Sequence, residues 1–216
     1  MRVLDLFAGT GSATKAFEDA GHEVIKVELD DYFEAHERDI LKLTADYLKN
    51  KYGQFDFIWA SPPCTTFSVA SIRHYWKYED GKAIPKNDKT LHGIELVKKT
   101  IALIQALNPK HGYVIENPRG MLRKQDVVKD LQRTTITYCQ YGAKNQKPTD
   151  LWNTLKNWTP RQMCKAGSTC HNSAKRGSDT GTQGMGGGGK HGAVKRSMIP
   201  YELGKEILES IMVNNK

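Results

Sequence analysis

Short apolar runs alternate with amphipathic stretches over the first two thirds of the chain. Residues 2–7, 23–29 and 55–60 read as strands, bounded by small or turn-forming residues. Between them, 13–20 is helical and is stopped by Gly21, and a second helical piece ends over 47–52. Residues 90–107 place Leu91, Ile94, Val97, Ile101 and Ile104 at helical spacing, a long amphipathic helix closed by Asn108-Pro109. Tyr113-Val114-Ile115 gives another strand, running into Glu116-Asn117-Pro118-Arg119-Gly120. Residues 126–132 look helical, and 134–141 has the β-branched and aromatic content of a strand. Strands separated by helices predict an α/β fold with a parallel, doubly wound sheet.

That periodicity stops near residue 156. Residues 157–196 are rich in Gly, Ser, Thr, Lys and Arg and poor in aliphatics, so a flexible or ligand-ordered loop is expected there. It returns over 200–213, where Leu203, Ile207, Leu208 and Ile211 mark a closing helix. The expected organisation is a main domain over 1–156, a small basic Gly-rich segment over 157–196, and a helix within 197–216 that returns to the main domain.

Composition narrows the class. A chain of 216 residues, 38% hydrophobic and 26% charged, suits one soluble globular domain with a real core. No run of about 18 apolar residues occurs, so no membrane span is expected. The N-terminus lacks a signal-peptide layout, which predicts an intracellular protein whose four cysteines are reduced. A formal charge of +8 favours polyanionic partners, nucleic acid first.

Candidate chemistry sits where strands end. Ser61-Pro62-Pro63-Cys64 leaves the third strand, and two prolines stiffen the loop that carries the thiol. Ligands of open α/β sheets bind beyond the carboxyl ends of strands, so Cys64 is either aimed at a substrate or is a buried, inert cysteine. Asp5-Leu6-Phe7-Ala8-Gly9-Thr10-Gly11-Ser12 puts glycines in a strand-to-helix turn, where backbone can approach a ligand. Glu28, at the end of the second strand, is positioned for ribose hydroxyls or stands as a solvated strand-end charge. Together these features favour an adenosine-containing cofactor. Thr14 stands where a dinucleotide fingerprint has its third glycine, and no Gly-Lys-Ser/Thr follows, so S-adenosylmethionine fits better than NAD or ATP.

The series Asp5–Ser12, Ser61–Ser68 and Glu116-Asn117-Pro118 resembles the cytosine-5 DNA methyltransferase family. The first matches that family's Asp-Leu-Phe-x-Gly-x-Gly turn, the second its Pro-Cys nucleophile loop, and the third its Glu-Asn motif with proline in place of valine. Arg196-Ser197-Met198-Ile199-Pro200 is similar to its final motif, with Ser197 where asparagine is usual. The resemblance covers 1–155 and 195–216. It implies a Rossmann-like methyltransferase fold, with 1–156 as the catalytic and cofactor-binding domain and 157–196 as a reduced target-recognition segment. It also implies an enzyme that methylates carbon 5 of cytosine in DNA.

Cys64 would be the nucleophile that adds to C6, since C5 alone is too weak a nucleophile and a covalent step divides the work. Glu116 would bind the ring at N3 and the amino group, carrying a proton at least transiently, and Asn117 would orient the loop. Lys147, near the place of a Gln-x-Arg-x-Arg motif, would be a polar partner of the base and the Cys64 loop. Asp5, Phe7, Gly9, Gly11 and Pro62 would surround the cofactor, Glu28 its ribose and Asp39 its adenine; Asp39 reads equally as a helix cap.

The implied partner is double-stranded DNA with the target cytosine swung out of the helix, bound by a monomer in the cytoplasm of a bacterial or phage-infected cell. The small size and the Asn-Pro variant suggest a phage enzyme that modifies its own DNA, in the manner of restriction-modification. Two alternatives stay open: the same chemistry on a free cytosine nucleotide or RNA, and a non-catalytic DNA-binding homologue. Cys164, Cys170, His171 and His191 offer zinc-binding donors, but their spacing is irregular for a finger, and the expectation is ordinary thiols without metal.

Overall fold

A computed structural model of the chain describes residues 1–165, 167–172 and 189–213. These residues form eight strands: β1 (Arg2–Leu6), β2 (Glu23–Val27), β3 (Phe57–Ala60), β4 (Trp76–Glu79), β5 (Lys82–Pro85), β6 (Tyr113–Pro118), β7 (Arg133–Thr137) and β8 (Pro148–Asn153). The helices are α1 (Lys15–Asp19), α2 (Ala45–Tyr52), α3 (Ile72–Tyr75), α4 (Asp88–Leu107), α5 (Gly189–Ser197) and α6 (Tyr201–Met212). Six strands make one sheet in the order β2-β1-β3-β6-β8-β7, parallel from β2 to β6.

The apolar strand runs are explained by burial on both faces. Leu4 and Leu6 of β1, Ile58 and Ala60 of β3, and Ile115 of β6 join Leu48 of α2 and Val97, Leu103 and Leu107 of α4 in one core. The intervening Val3, Phe57, Trp59 and Val114 join Phe17 of α1 and Leu203, Ile207 and Ile211 of α6 in another. The period of two divides each strand between the two cores, and helices cover both faces as expected of a doubly wound sheet. Gly204 allows α6 to approach the turn before α1; a Cβ there would stand 2.7 Å from the Ala13 carbonyl oxygen.

Several elements differ from expectation. β8 was not foreseen and is antiparallel, lying between β6 and β7 and paired to both. Residues 138–141 leave the sheet as a 3-10 turn, and 126–132 forms only a short 3-10 turn over Asp126–Val128. β2 ends at Val27, because the Glu28 carboxylate accepts the Asp30 N–H at 2.9 Å and turns the chain, leaving Leu29 exposed. α5 is a helix inside the stretch expected to be loop.

Asp80-Gly81, with φ of 48° and 76°, closes the β4–β5 hairpin, an Asp-Gly pairing suited to a tight two-residue turn. Trp76 anchors this hairpin: it is buried, donates Nε1–H to the Thr66 carbonyl at 2.6 Å and packs against Phe67 with ring centroids 6.2 Å apart. The hairpin thereby braces the loop that carries Cys64.

Candidate active site

The glycine turn leaves β1 with three positive φ angles in five residues: Phe7 (63°), Gly9 (50°) and Gly11 (70°). A left-handed Phe is uncommon and marks a backbone held under strain at the strand end. Gly9 N–H donates to Glu28 Oε2 at 2.8 Å, so the strand-end carboxylate is fastened across the mouth of the turn. A Cβ built on Gly9 meets nothing within 4 Å, whereas one on Gly11 would stand 2.8 Å from Lys26 Nζ. The turn is therefore open at Gly9 and closed behind Gly11. Ile199 N–H donates to Ser12 Oγ at 3.0 Å, which joins the Arg196–Pro200 stretch to this turn.

Asp5 lies beneath the turn with no solvent exposure and accepts Thr14 Oγ1–H on Oδ2 at 2.6 Å. Its Oδ1 has no partner among the described residues, and burial pushes the carboxyl up to about 7, partly opposed by the Thr14 bond. An acidic residue near a Gly-lined opening, with a second carboxylate bonded to a glycine N–H, suits a ligand bearing hydroxyl and ammonium donors. These residues fit the polar part of S-adenosylmethionine. Asp39 does what its alternative reading proposed: its carboxylate accepts the Leu41 N–H at 3.0 Å and caps the 3-10 turn Ile40–Lys42.

The Cys64 loop follows β3. The Cys64 carbonyl accepts the N–H groups of Phe67 and Ser68, at 3.0 and 2.8 Å, folding 64–68 into one turn with the half-buried thiol near its start. Phe67 O accepts the Met121 N–H at 2.7 Å, and a Cβ on Gly120 would lie 2.2 Å from that oxygen, so only glycine fits. β6 ends beside this loop. Pleating sends adjacent residues to opposite faces: Asn117 donates Nδ2–H to the Pro62 carbonyl at 2.9 Å, while Glu116 accepts Tyr138 O–H on Oε1 at 2.8 Å. Glu116 and Tyr138 are both buried.

Lys147 approaches from the loop before β8. Its Nζ sits 4.5 Å from the centre of the Tyr138 ring and donates to the Arg196 carbonyl at 3.0 Å. Burial pushes the Cys64 thiol up, the Glu116 charge adds to this, and Lys147 pulls the other way. Cys64, Glu116, Tyr138 and Lys147 thus share one electrostatic site. Burial and the Glu116 charge raise Tyr138 well above the ordinary phenol range, so it stays a donor at neutral pH.

A cleft of about 460 Å³ opens on the Tyr138 side, with Lys147, Lys195, Arg196 and Met198 in its walls. Another of about 470 Å³ is lined by Val69, Arg119, Met121 and Lys124.

The model of the family described as "C-5 cytosine-specific DNA methylase" matches residues 1–146. The chain belongs to this family. A frog virus 3 (isolate Goorha) protein named "Probable DNA (cytosine-5)-methyltransferase" is 30% identical over 220 residues, covering 98% of this chain and 99% of that protein. Two solved DNMT2 structures are similar in part. A Spodoptera frugiperda mutant matches at 19% identity and a TM-score of 0.44, covering 70% of this chain and 49% of its own. S. pombe Dnmt2 matches at 15% and 0.48, covering 75% and 51%. The chain spans about half the length of these two.

Tyr138 escaped the sequence reading. It lay in an expected strand, and nothing in its spacing signals that the chain turns there to present the hydroxyl to Glu116. Cys139 escaped for the same reason, although it meets Cys164, Cys170 and His171 in one cluster. The side chain of His191 lies outside the described residues.

Proposed function

We propose that this family member transfers a methyl group from S-adenosylmethionine to carbon 5 of a cytosine in DNA, through a covalent bond between Cys64 and C6. The observation that carries the reading is the tie between neighbouring strand ends: Asn117 holds the Pro62 carbonyl while Glu116, the next residue, faces Tyr138. That arrangement supports a ring gripped by Glu116 within reach of the Cys64 loop.

The Cys64 thiolate adds to C6, and the ring electron pair moves toward C5. Glu116, with Tyr138 donating to its Oε1, holds N3 and the amino group and supplies the proton that N3 takes up as the ring becomes nucleophilic. Asp5, the Phe7–Gly11 turn and Glu28 would hold S-adenosylmethionine, which supplies an electrophilic methyl group on a sulfonium. Once C5 carries the methyl, loss of its proton to a base returns the electron pair, breaks the C6–S bond and frees the thiolate, and N3 gives its proton back to Glu116. Lys147 favours the thiolate and opposes the charge of Glu116.

DNA as the substrate is supported by the viral relative's name and by the +8 charge. The target cytosine would be swung out of a double strand into the space beside Tyr138, with the chain acting as a monomer inside an infected cell. Bisulfite sequencing of DNA from cells expressing the wild type or Cys64→Ala tests this: methylated cytosines are expected with the first and none above background with the second. Methylation that persists in the Cys64→Ala cells rejects the covalent mechanism. Tritium release from C5-labelled DNA, dCMP and RNA in parallel assigns the substrate, and release from dCMP or RNA alone rejects DNA.

A further inference from the structure

Three cysteines and a histidine converge beside the catalytic strand ends, although the sequence holds them in separate places. Cys139 sits in the 3-10 turn Tyr138–Tyr141, and Cys164, Cys170 and His171 belong to the irregular segment lying over it. One donor atom from each lies within 4.8 Å of the other three. Cys139 Sγ is 3.1 Å from Cys164 Sγ and 3.7 Å from Cys170 Sγ. His171 Nδ1 is 3.4 Å from Cys170 Sγ and 3.7 Å from Cys164 Sγ.

Tetrahedral zinc, with Zn–S near 2.3 Å and Zn–N near 2.0 Å, needs edges of about 3.8 Å between sulfurs and about 3.5 Å from sulfur to nitrogen. Three of these separations already meet that geometry within about 0.2 Å, and the Cys139–Cys164 pair has to open by about 0.7 Å. None is a disulfide, whose sulfurs lie about 2.05 Å apart, and all the cysteines are free.

The surroundings suit thiolates bound to a metal. Gln140 Nε2 donates to Cys170 Sγ at 3.3 Å and Gln146 Nε2 to Cys164 Sγ at 3.1 Å, the outer hydrogen bonds that orient and tune such ligands. Cys164 N–H donates to Thr137 Oγ1 at 3.1 Å, and Asn172 N–H donates to the Lys144 carbonyl at 2.8 Å, so both ends of the segment are pinned. Between 157 and 172 the only large apolar side chains are Trp158 and Met163, too few to fix the segment by burial. Three soft sulfurs and one imidazole select zinc over magnesium or calcium, and four protein ligands make a closed, structural site.

We infer that Cys139, Cys164, Cys170 and His171 bind one zinc ion that fastens the basic segment to the turn carrying Tyr138. The reading of Cys64 and Glu116 is not needed for this, because no ligand belongs to that pair. Zinc would replace a hydrophobic core as the anchor of a short recognition segment. It would also fix Cys139, the residue next to the tyrosine that holds Glu116.

The full chain, purified without a metal-binding tag, is expected to carry about one zinc per molecule by elemental mass spectrometry. Cys64→Ser should keep it, while Cys139→Ser and Cys164→Ser should lose it. Since a cysteine variant can lose metal merely by misfolding, cobalt(II) added to metal-stripped wild type is the second measurement. It should give the visible bands of a tetrahedral site with intense thiolate-to-cobalt charge transfer. Chelation should also hasten tryptic cleavage after Arg161 or Lys165, and added zinc should slow it again. The inference is overturned by folded wild type that takes up no stoichiometric zinc or tetrahedral cobalt, or by full zinc retention in Cys139→Ser. A zinc-free protein with a Cys139–Cys164 disulfide, isolated without added oxidant, overturns it equally.

Discussion

Cys64 is held in its thiol form by burial and by Glu116, and Lys147 opposes them among the described residues. The same carboxylate that would grip the base thus restrains the nucleophile until something neutralises it. The rate of alkylation at Cys64 against pH, followed by mass spectrometry of its peptide, should have its midpoint above that of an ordinary thiol. Glu116→Gln should move the midpoint down and Lys147→Met should move it up. Shifts in the same direction would contradict this electrostatic account. Asp5 gives a second titration. An unfolded aspartate titrates near 3.9, whereas buried Asp5 is pushed up to about 7. The folded chain therefore keeps a proton that the unfolded chain gives up. This contribution is fully present below about pH 4 and is lost as pH rises through about 7. Urea unfolding of the wild type should show stability falling by a few kcal/mol over that window, and Asp5→Asn should flatten the fall. At this scale the sequence was legible wherever a residue type and its neighbours carry chemistry together, as at Pro62-Pro63-Cys64 and Glu116-Asn117. It was silent on Tyr138, whose role depends on where its hydroxyl points.

β8 shows why elements were harder to read than residues. Its six residues, Pro148–Asn153, open on a proline and include the charged Asp150, which argues against a central strand from sequence alone. The structure accommodates both. Asp150 is fully buried and is met by Arg123, whose Nε–H donates to Oδ2 at 2.8 Å and whose Nη2 bonds Oδ1, while Thr135 Oγ1 donates to Oδ1 at 2.8 Å. Removing one partner of such a pair leaves a buried charge without compensation. Arg123→Met should therefore cost about 3–5 kcal/mol in chemical denaturation, and Asp150→Asn in that background should recover part of it. A loss below about 1 kcal/mol would mean that water reaches Asp150. The β4–β5 hairpin carries a turn signal in Asp80-Gly81, but its strands are four residues each and largely exposed, so they lack the apolar alternation that marks a strand.

Across the whole molecule the excess of positive charge meets the site in the cleft walled by Lys147, Lys195 and Arg196. Lys195 is exposed there, at the end of α5, where a phosphate can reach it. Binding to duplex DNA should weaken linearly in a log–log plot against salt, with a slope of about −0.9 per phosphate neutralised. Lys195→Ala should reduce that slope by about one contact and weaken binding to unrelated sequences alike. An unchanged slope in a titration by fluorescence anisotropy would remove this cleft from the DNA path.

The sequence by itself determined the alternation of strands and helices, the glycine turn after the first strand, the cysteine on its proline-stiffened loop and the Glu-Asn pair at a strand end. These are local patterns, fixed by residue type and spacing over a few positions. Only the tertiary structure decided that β8 runs antiparallel, that Tyr138 donates to Glu116 and that Cys139 joins Cys164, Cys170 and His171. Each of those depends on residues from distant parts of the chain arriving at one point, which no short-range periodicity encodes.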